Sequence, residues 1–281
     1  MAVSTRPVSL VLLSIGLGAL LGCQPRQDNR IILMPEQGKM MVNAVVPLLN
    51  GQIFGLGIPE TIGSREQMML VNHTEATIHW TVDETQGSVS TTWIKEGHLR
   101  YELKIIPAED YVDLVMTIEN QSASKWHGVF AFNCVSPAIA PAFRDSSLER
   151  TFVSMHQQAT SLATLPRVQG PRPTITVYPT QTHVEELPSF AEAFQATSPI
   201  ASDDSWLAVI SDSGGAYMAT TAEDASFLFT NTKFGCIHAA PFFGDIAPHE
   251  ERTVESRVYF SQGSLQDFQE RYESYRMERQ D

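Results

Sequence analysis

The 281-residue chain predicts a mainly β protein, a large antiparallel two-sheet β-sandwich with an amphipathic α-helix at its C-terminal end. Three observations predict this class. Short segments of alternating apolar and polar residues follow one another along most of the chain, turn-forming residues separate them, and a sustained helical spacing occurs only near the end. The apolar content of 43% is that of an ordinary globular protein.

The first half of the chain holds six predicted strands, separated by turn-like stretches such as ETQG and NQSASK. In the fourth of these strands, Leu99, Tyr101 and Leu103 share one face, and charged side chains share the other. Because one face of such a sheet is solvated, the sheet is expected to be antiparallel. The six predicted strands are Gln67–Asn72, Thr77–Asp83, Ser88–Lys95, His98–Ile106, Tyr111–Glu119 and Trp126–Cys134.

The second half holds six more predicted strands, and the chain lacks the βαβ alternation of a parallel α/β fold. Two stretches are predicted to be irregular: Val135–Pro171, rich in Pro, Ala, Ser and Gln, and Thr180–Asp204, in which Glu192–Gln195 is predicted as a short helical turn. The six predicted strands are Pro173–Tyr178, Trp206–Asp212, Ala216–Thr221, Ala225–Thr230, Phe234–Ala239 and Thr253–Ser261.

The last segment, Ser264–Gln280, is predicted to be an amphipathic helix. Leu265, Phe268, Tyr272 and Tyr275 recur at helical spacing among charged residues, and Ser264 with the acid three residues later forms a capping box. We expect the aromatic side of this helix to dock on the sandwich. A helix that binds a partner protein is the alternative.

Twelve predicted strands in one chain resemble the super-sandwich of the galactose-mutarotase-like group. The resemblance is one of layout only, since no catalytic motif of that group aligns with this sequence. It implies a single β-sandwich domain over residues 31–281, of a kind that recurs in proteins that handle carbohydrates. Because a fold does not assign a function by itself, the ligand has to be argued from individual residues.

The N-terminus carries a pattern of its own. Arg6 precedes the apolar run Val8–Leu21, which is too short for a membrane span and ends in Leu20-Leu21-Gly22-Cys23. This ending resembles the lipobox of bacterial lipoproteins. The resemblance implies a signal peptide over residues 1–22, an acylated Cys23 and a polar tether over residues 23–30. An ordinary signal peptide with a chance cysteine is the alternative.

The same resemblance implies a location. An acylated cysteine anchors a protein firmly, because each buried CH₂ of the acyl chains adds about 0.8 kcal/mol of membrane affinity. The residue after Cys23 is Gln24 and not aspartate, and by similarity to lipoproteins of Gram-negative cells this favours the outer membrane. We therefore expect a protein of the cell envelope that the lipid attaches to a membrane.

The charge and the motifs exclude several functions. A formal net charge of −13 argues against binding to nucleic acid by charge attraction, and we predict no nucleic-acid partner. The chain lacks a G-x-S-x-G elbow, a P-loop, a Rossmann fingerprint and an H-E-x-x-H helix, and we predict no cofactor. The oligomeric state is left open.

Cys134 and Cys236 are candidates either for a disulfide or for two buried thiols. With His127 and His238 they would make a zinc set, but strand parity places His127 on the face opposite Cys134. The short C-x₂₋₄-C spacing of structural zinc sites is also missing. The sequence therefore predicts no metal site.

Two stretches that follow these cysteines combine aromatic rings with charged or imidazole side chains, as a sugar site requires. We predict a carbohydrate or similar polar ligand there. The candidate ligand-binding residues are Phe143, Arg144 and Asp145 in the first stretch and His238, Phe242, Phe243 and Asp245 in the second.

Two other functions remain open. A mutarotase-like or glycosidase-like enzyme would use His238, Asp245, Asp145 or Glu149 as acid–base groups. An envelope scaffold or assembly lipoprotein would use the C-terminal helix as a partner surface. The sequence does not decide whether the protein is an enzyme.

Overall fold

The computed structural model describes residues 29–71, 78–167, 172, 174–186 and 196–280. The predicted signal peptide, Cys23, most of the tether and the predicted turn Glu192–Gln195 lie outside these residues. Within the described part, none of the helices combines the length and the apolar character that crossing a membrane requires.

The described residues form eighteen β-strands, one α-helix and four short 3-10 turns. The strands are β1 Ile32–Glu36, β2 Met41–Val46, β3 Gln52–Gly63, β4 Met68–Val71, β5 Trp80–Asp83, β6 Ser88–Lys95, β7 Leu99–Pro107, β8 Tyr111–Asn120, β9 Trp126–Ser136, β10 Thr151–Met155, β11 Gln158–Ser161, β12 Ile175–Pro179, β13 Ala196–Thr197, β14 Trp206–Ile210, β15 Ala216–Ala222, β16 Ala225–Asn231, β17 Cys236–Ile246 and β18 Glu251–Gln262, and the helix is α1 Leu265–Gln280.

These strands form two nine-stranded sheets within the described residues. Sheet I has the order β1-β2-β3-β9-β17-β16-β12-β13, with β4 also paired to β3, and sheet II has the order β11-β10-β14-β15-β18-β8-β7-β6-β5. The pairing is antiparallel apart from the short contact of β12 with β13. The predicted class, a mainly β sandwich of two antiparallel sheets with a C-terminal helix, is confirmed.

The main core lies between the two sheets and follows from strand alternation. In β8, Val112, Leu114, Met116 and Ile118 point inward and are fully buried, whereas the residues between them are half exposed. Each such aliphatic side chain stabilises the fold by about 1.5–3 kcal/mol relative to an exposed one. The same alternation leaves an outer face on each sheet, directed away from the other sheet, and both outer faces carry buried aromatic clusters.

Helix α1 covers the outer face of sheet II, as the sequence predicts. Phe268 lies against Trp206 with ring centroids 5.2 Å apart, and Tyr272 and Tyr275 are buried beside it. Ser264 caps the helix: its hydroxyl donates to the Asp267 carboxylate at 2.7 Å, and the backbone N–H of Asp267 donates back to the Ser264 hydroxyl at 3.3 Å. The helix is therefore an integral layer of the fold.

The sequence missed several strands. The strands β1, β2 and β3 were not predicted, and the region predicted to be irregular, Val135–Pro171, contains the hairpin β10–β11. In β3, residues 54–59 are buried one after another, so apolar and polar residues do not alternate, and its glycines and Pro59 read as turn residues. The strand β11 (QATS) is short and polar, so it carries no hydrophobic signal.

We predict that Phe268→Ala lowers the free energy of unfolding by about 3–5 kcal/mol, because it leaves a cavity between α1 and sheet II. Chemical unfolding of the full chain measures this effect. Met277→Ala, at a side chain of the same helix that is 62% exposed, is the control and should change stability by no more than about 0.5 kcal/mol. Equal effects of the two substitutions would show that the helix is not docked.

Candidate functional site

The outer face of sheet I carries polar groups at both ends of a buried aromatic cluster. Parity in β17 sends Ile237 and Ala239 into the core and places Cys236, His238 and Phe242 on the outer face. The cluster between the two ends consists of Phe130, Phe132, Val177, Phe227, Phe229 and Ala240.

At one end, Cys134, Cys236, His238 and Glu60 form what we call the thiol–histidine cluster. Strands β9 and β17 are neighbours at the centre of sheet I, and Cys134 is the direct cross-strand partner of His238. Cys236 precedes His238 by two residues and so shares its face. One donor atom from each of these three residues lies within 4.8 Å of the others, an arrangement that could hold a metal ion.

Glu60 completes the cluster from β3, the strand on the other side of β9 from β17. The register between β3 and β9 shifts between Gly57 and Thr61, so a bulge interrupts the pairing there. The bulge brings the Glu60 carboxylate to 3.0 Å from His238 Nε2. Sequence reasoning missed Glu60 because β3 itself was not predicted. The usable signal was Pro59, since a proline inside a strand marks a bulge or an edge.

Two hydrogen bonds and a stacked aromatic ring fix the orientation of the His238 imidazole. Its Nδ1–H donates to the Phe229 carbonyl oxygen at 3.2 Å. Its ring stacks on the Phe229 ring, with the ring centroids 3.6 Å apart and an angle of 8° between the ring planes. Both ring nitrogens face oxygen acceptors, so the ring carries two protons. Burial lowers the pKa of His238, but the contacts with Cys236 and Glu60 outweigh burial and raise that pKa to about 9.

The two thiols are free and unequal. The Cys134 thiol donates to the Cys236 sulfur and lowers the pKa of Cys236 to about 5, against burial and with help from His238. The pKa of Cys134 is raised by the same contact and by burial. Of the two alternatives that the sequence left open for this pair, the structure has the two free thiols. Because Cys134 lies opposite His238 and not opposite Cys236, the two cysteines are diagonal neighbours across the strands.

At the other end of the same face lies the Phe242 patch, made of Phe242, His183, Asp224 and Arg65. The His183 ring packs on the half-buried Phe242 ring with centroids 4.1 Å apart, and His183 Nε2 bonds the Asp224 carboxylate at 2.8 Å. The Asp224 side chain is 45% exposed. Gly128 lies beneath Phe242 and Arg65, and a β-carbon at this glycine would come within 3.8–3.9 Å of both side chains.

Asp245 adjoins this patch through Gly128, whose backbone N–H donates to the Asp245 carboxylate at 3.0 Å. The same carboxylate pairs with Lys125 at 2.9 Å and with His127 Nδ1 at 3.0 Å. Lys125, followed by the Gly128 N–H, holds the pKa of Asp245 well below its usual range. Asp245 is therefore a fixed anion at the edge of the patch, and it is not placed to act as an acid near neutral pH.

The remaining candidate residues lie away from the outer face of sheet I or make contacts within the fold. Phe143 and Phe243 are buried in the main core and offer no ring to a ligand. Asp145 accepts hydrogen bonds from the Ser147 hydroxyl, the Arg150 N–H and the Thr151 hydroxyl, which hold its loop together.

Arg144 donates to the Ala138 carbonyl oxygen, and Glu149 is exposed. A cavity of about 10 Å³ separates Asp145 from Cys236, which is room for about one water molecule. These side chains therefore do not form a sugar-sized site with the second stretch. Of the two predicted stretches, the second contributes His238 and Phe242, both in β17, to the outer face of sheet I.

Comparisons with known proteins place the fold. No family model and no curated protein matches this chain. Among solved structures, the chain is similar to an alpha-N-acetylgalactosaminidase from Bifidobacterium bifidum in complex with GalNAc, at 11% identity and a TM-score of 0.54, over 90% of this chain and 38% of that one.

Two smaller proteins are also similar. A galactose mutarotase-like protein from Lactobacillus casei matches at 9% identity over 82% of this chain and 99% of that one, with a TM-score of 0.46. A galactose mutarotase related enzyme from Lactobacillus acidophilus matches at 8% identity over 84% of this chain and 98% of that one, with a TM-score of 0.43. At these identities the likeness is one of fold alone.

We predict that the two thiols titrate separately in the metal-free full chain carrying Cys23→Ser. Ultraviolet thiolate absorbance should show about one thiolate per chain at neutral pH, because Cys236 has a lowered pKa and Cys134 a raised one. Cys134→Ala should move the pKa of Cys236 up toward the ordinary value of about 8.5, since the donated hydrogen bond is lost. Two thiols that titrate together near that value would contradict the cluster geometry.

Proposed function

We propose that the protein is an exported, lipid-anchored β-sandwich that binds a carbohydrate or a similar polar ligand at the Phe242 patch. The observation that carries this proposal is the half-buried Phe242 ring, framed by the His183 imidazole and the Asp224 carboxylate. A sugar ring needs an apolar surface for its C–H face and charged or imidazole groups for its hydroxyls. The patch supplies the half-buried Phe242 ring and the exposed Asp224 carboxylate at one place on the outer face of sheet I, and the buried His183 imidazole holds Asp224 there.

Two further observations support a sugar as the ligand class. The solved structure with a TM-score of 0.54 is that of an alpha-N-acetylgalactosaminidase with GalNAc bound. The Asp224 side chain is 45% exposed, so its carboxylate can accept hydrogen bonds beside the ring, and Arg65 and Phe242 both lie next to Gly128. Because a shared fold does not transfer a function, the proposal depends on these residues and not on the likeness.

The anchor is part of the proposal. The stretch Leu20-Leu21-Gly22-Cys23 supports acylation at Cys23, and Gln24 supports an outer-membrane location. The sandwich would then face the aqueous side of the envelope on a short tether. A membrane-held binding domain fits a ligand that is itself large or surface-bound, such as a polysaccharide.

A sugar-active enzyme is the second candidate. Its specific support is that a histidine and a carboxylate are in hydrogen-bond contact at each end of the outer face, His183 with Asp224 and His238 with Glu60. The scaffold hypothesis has lost its main support, because the aromatic side of α1 is buried against sheet II and is not available to a partner.

We predict that Phe242→Ala weakens binding of the best glycan by at least about tenfold, because the apolar contact with the sugar ring is lost. Asp224→Asn should weaken it as well, since it removes a charged acceptor. Binding is measured on a glycan array and then by calorimetry with the full chain carrying Cys23→Ser. Phe234→Ala is the matched control, because Phe234 is 58% exposed and lies in the turn before β17.

Folded protein that binds none of the sugars or cell-envelope polysaccharides tested would contradict this proposal. Binding that Phe242→Ala and Asp224→Asn leave unchanged would move the site elsewhere on the molecule. Interconversion or cleavage of a bound sugar, abolished by Asp224→Asn, would establish the enzyme instead.

For the anchor, we predict that Cys23→Ser shifts the protein from the membrane fraction to the soluble fraction of the expressing cells, because the acyl chains supply the membrane affinity. Intact-mass measurement of the membrane-extracted protein should show a chain that begins at an acylated Cys23. An unmodified Cys23 in an exported, soluble chain would identify the ordinary signal peptide.

A further inference from the structure

We propose that the thiol–histidine cluster is a zinc site, in which Cys134, Cys236, His238 and Glu60 bind one Zn²⁺ ion. This inference goes beyond the proposed sugar site, since it concerns the opposite end of the outer face and a different class of ligand. It rests on the geometry of the four side chains, on the support behind His238 and on the chemistry of the donor atoms.

The spacing of the donor atoms fits a tetrahedral ion. With Zn–S distances of about 2.3 Å and Zn–N distances of about 2.0–2.1 Å, neighbouring ligand atoms lie about 3.5–3.8 Å apart. The donor atoms of Cys134, Cys236 and His238 lie within 4.8 Å of one another, so rotamer shifts of about 1 Å close them around an ion. Glu60 Oε2 lies 3.0 Å from His238 Nε2, so these two atoms would have to separate by about 0.5 Å to bind the same ion.

His238 is positioned as a metal ligand, and an ion that binds Nε2 displaces the proton that this nitrogen shares with Glu60 in the metal-free protein. Metal-binding histidines almost always donate their other ring N–H to a carbonyl or carboxylate, which fixes the tautomer and the ring orientation. His238 Nδ1 bonds the Phe229 carbonyl oxygen at 3.2 Å on the β16 side, and the stacked Phe229 ring holds its plane. This arrangement aims Nε2 toward β9 and β3, where Cys134 and Glu60 lie.

The backbone keeps the ligands together in the absence of an ion. Cys134, Cys236 and His238 belong to two paired central strands, and their common face follows from the register. The Glu60 bulge adds a ligand from the strand on the other side of β9. His238 and Cys236 are 1% and 6% exposed, whereas the Glu60 side chain is 28% exposed, so an ion would enter and exchange from the Glu60 side.

The donor set selects the ion. Two thiolates and an imidazole are typical of zinc sites, and thiolate ligands disfavour the hard ions Mg²⁺ and Ca²⁺. Two thiolates and the Glu60 carboxylate carry three negative charges in a largely buried place, and a divalent cation offsets most of that charge. Cys134, Cys236 and His238 would be the permanent ligands. The more exposed Glu60 would be the fourth ligand, the one that can exchange.

The sequence predicted no metal site for two reasons: strand parity separates His127 from Cys134, and the short C-x₂₋₄-C spacing of structural zinc sites is missing. His127 indeed belongs elsewhere, since it bonds Asp245. In the proposed site the fourth ligand is Glu60, on the strand β3, which was not predicted from the sequence. The long separation of the four residues along the chain hid the set, because their proximity comes from sheet pairing and not from a short loop.

The test uses the full chain carrying Cys23→Ser, reduced, stripped with a chelator and titrated first with Co²⁺ and then with Zn²⁺. We expect one Co²⁺ per chain with thiolate-to-cobalt absorption, displacement by Zn²⁺, and a higher melting temperature with the metal bound. Cys134→Ala and Cys236→Ala should each abolish that absorption, and Glu60→Gln should weaken binding on the order of 10–100-fold.

His127→Ala is the matched control and should bind Co²⁺ like the parent chain. Circular dichroism of each variant separates loss of the metal from loss of the fold. Reduced and folded protein that holds no Zn²⁺, binding that survives Cys134→Ala with Cys236→Ala, or a Cys134–Cys236 disulfide in protein isolated from cells would each overturn the proposal. Glycan binding by the same variants is measured in a separate experiment. A protein that binds no glycan at the Phe242 patch would therefore not change the conclusion about zinc.

Discussion

The pairing of β9 with β17 at the centre of sheet I is the constraint on which the rest of the structure depends. One register decides both faces of the sheet at once. Inward, it places Ala131, Val135 and Ile237 in the core between the sheets. Outward, it sets Cys134 opposite His238. A slip of one residue would exchange the two faces and bury the polar groups in the main core, so the core itself fixes the site.

The outer face of sheet I then follows from which side chains the two strands carry. A buried aromatic cluster in its middle, with Phe130, Phe132, Phe227 and Phe229 nearly inaccessible, separates two polar ends. One end is chemically soft, with two thiols, and is largely closed to solvent. The other is open, with the half-buried Phe242 ring and exposed carboxylates. The proposed ion at the first end needs a buried set of thiolate and imidazole ligands, the proposed sugar at the second needs an open ring and carboxylate, and the aromatic cluster lies between the two places.

The strands and helix with regular patterns could be predicted from the sequence. The ends of β6 and the positions of β7, β8 and α1 follow from alternation, from turn residues and from the capping box. Many short alternating strands followed by one amphipathic helix together predicted the fold class. The strand β3 could not be predicted, because it is buried on consecutive residues and interrupted by a bulge.

The candidate site was predicted only in part. Cys236 and His238 were predicted in one strand, in which parity puts them on the same face, whereas Phe242 was predicted beyond the end of that strand and lies in β17. Glu60, His183 and Asp224 were not predicted, because pairing between distant strands brings them to that face. The loop Phe143–Asp145 looked like a ligand loop, yet its ring fills the core and its carboxylate binds the backbone, a difference that depends on tertiary packing.

X-ray absorption at the zinc edge, on the full-length protein isolated from cells without chelator, tests most directly the central claim that the β9–β17 pairing builds a zinc site. A sheet paired as described here predicts about two sulfur ligands near 2.3 Å and about two nitrogen or oxygen ligands near 2.0–2.2 Å for each bound zinc. Zinc surrounded by nitrogen and oxygen alone, or protein that carries no zinc while both thiols are reduced, would contradict the claim.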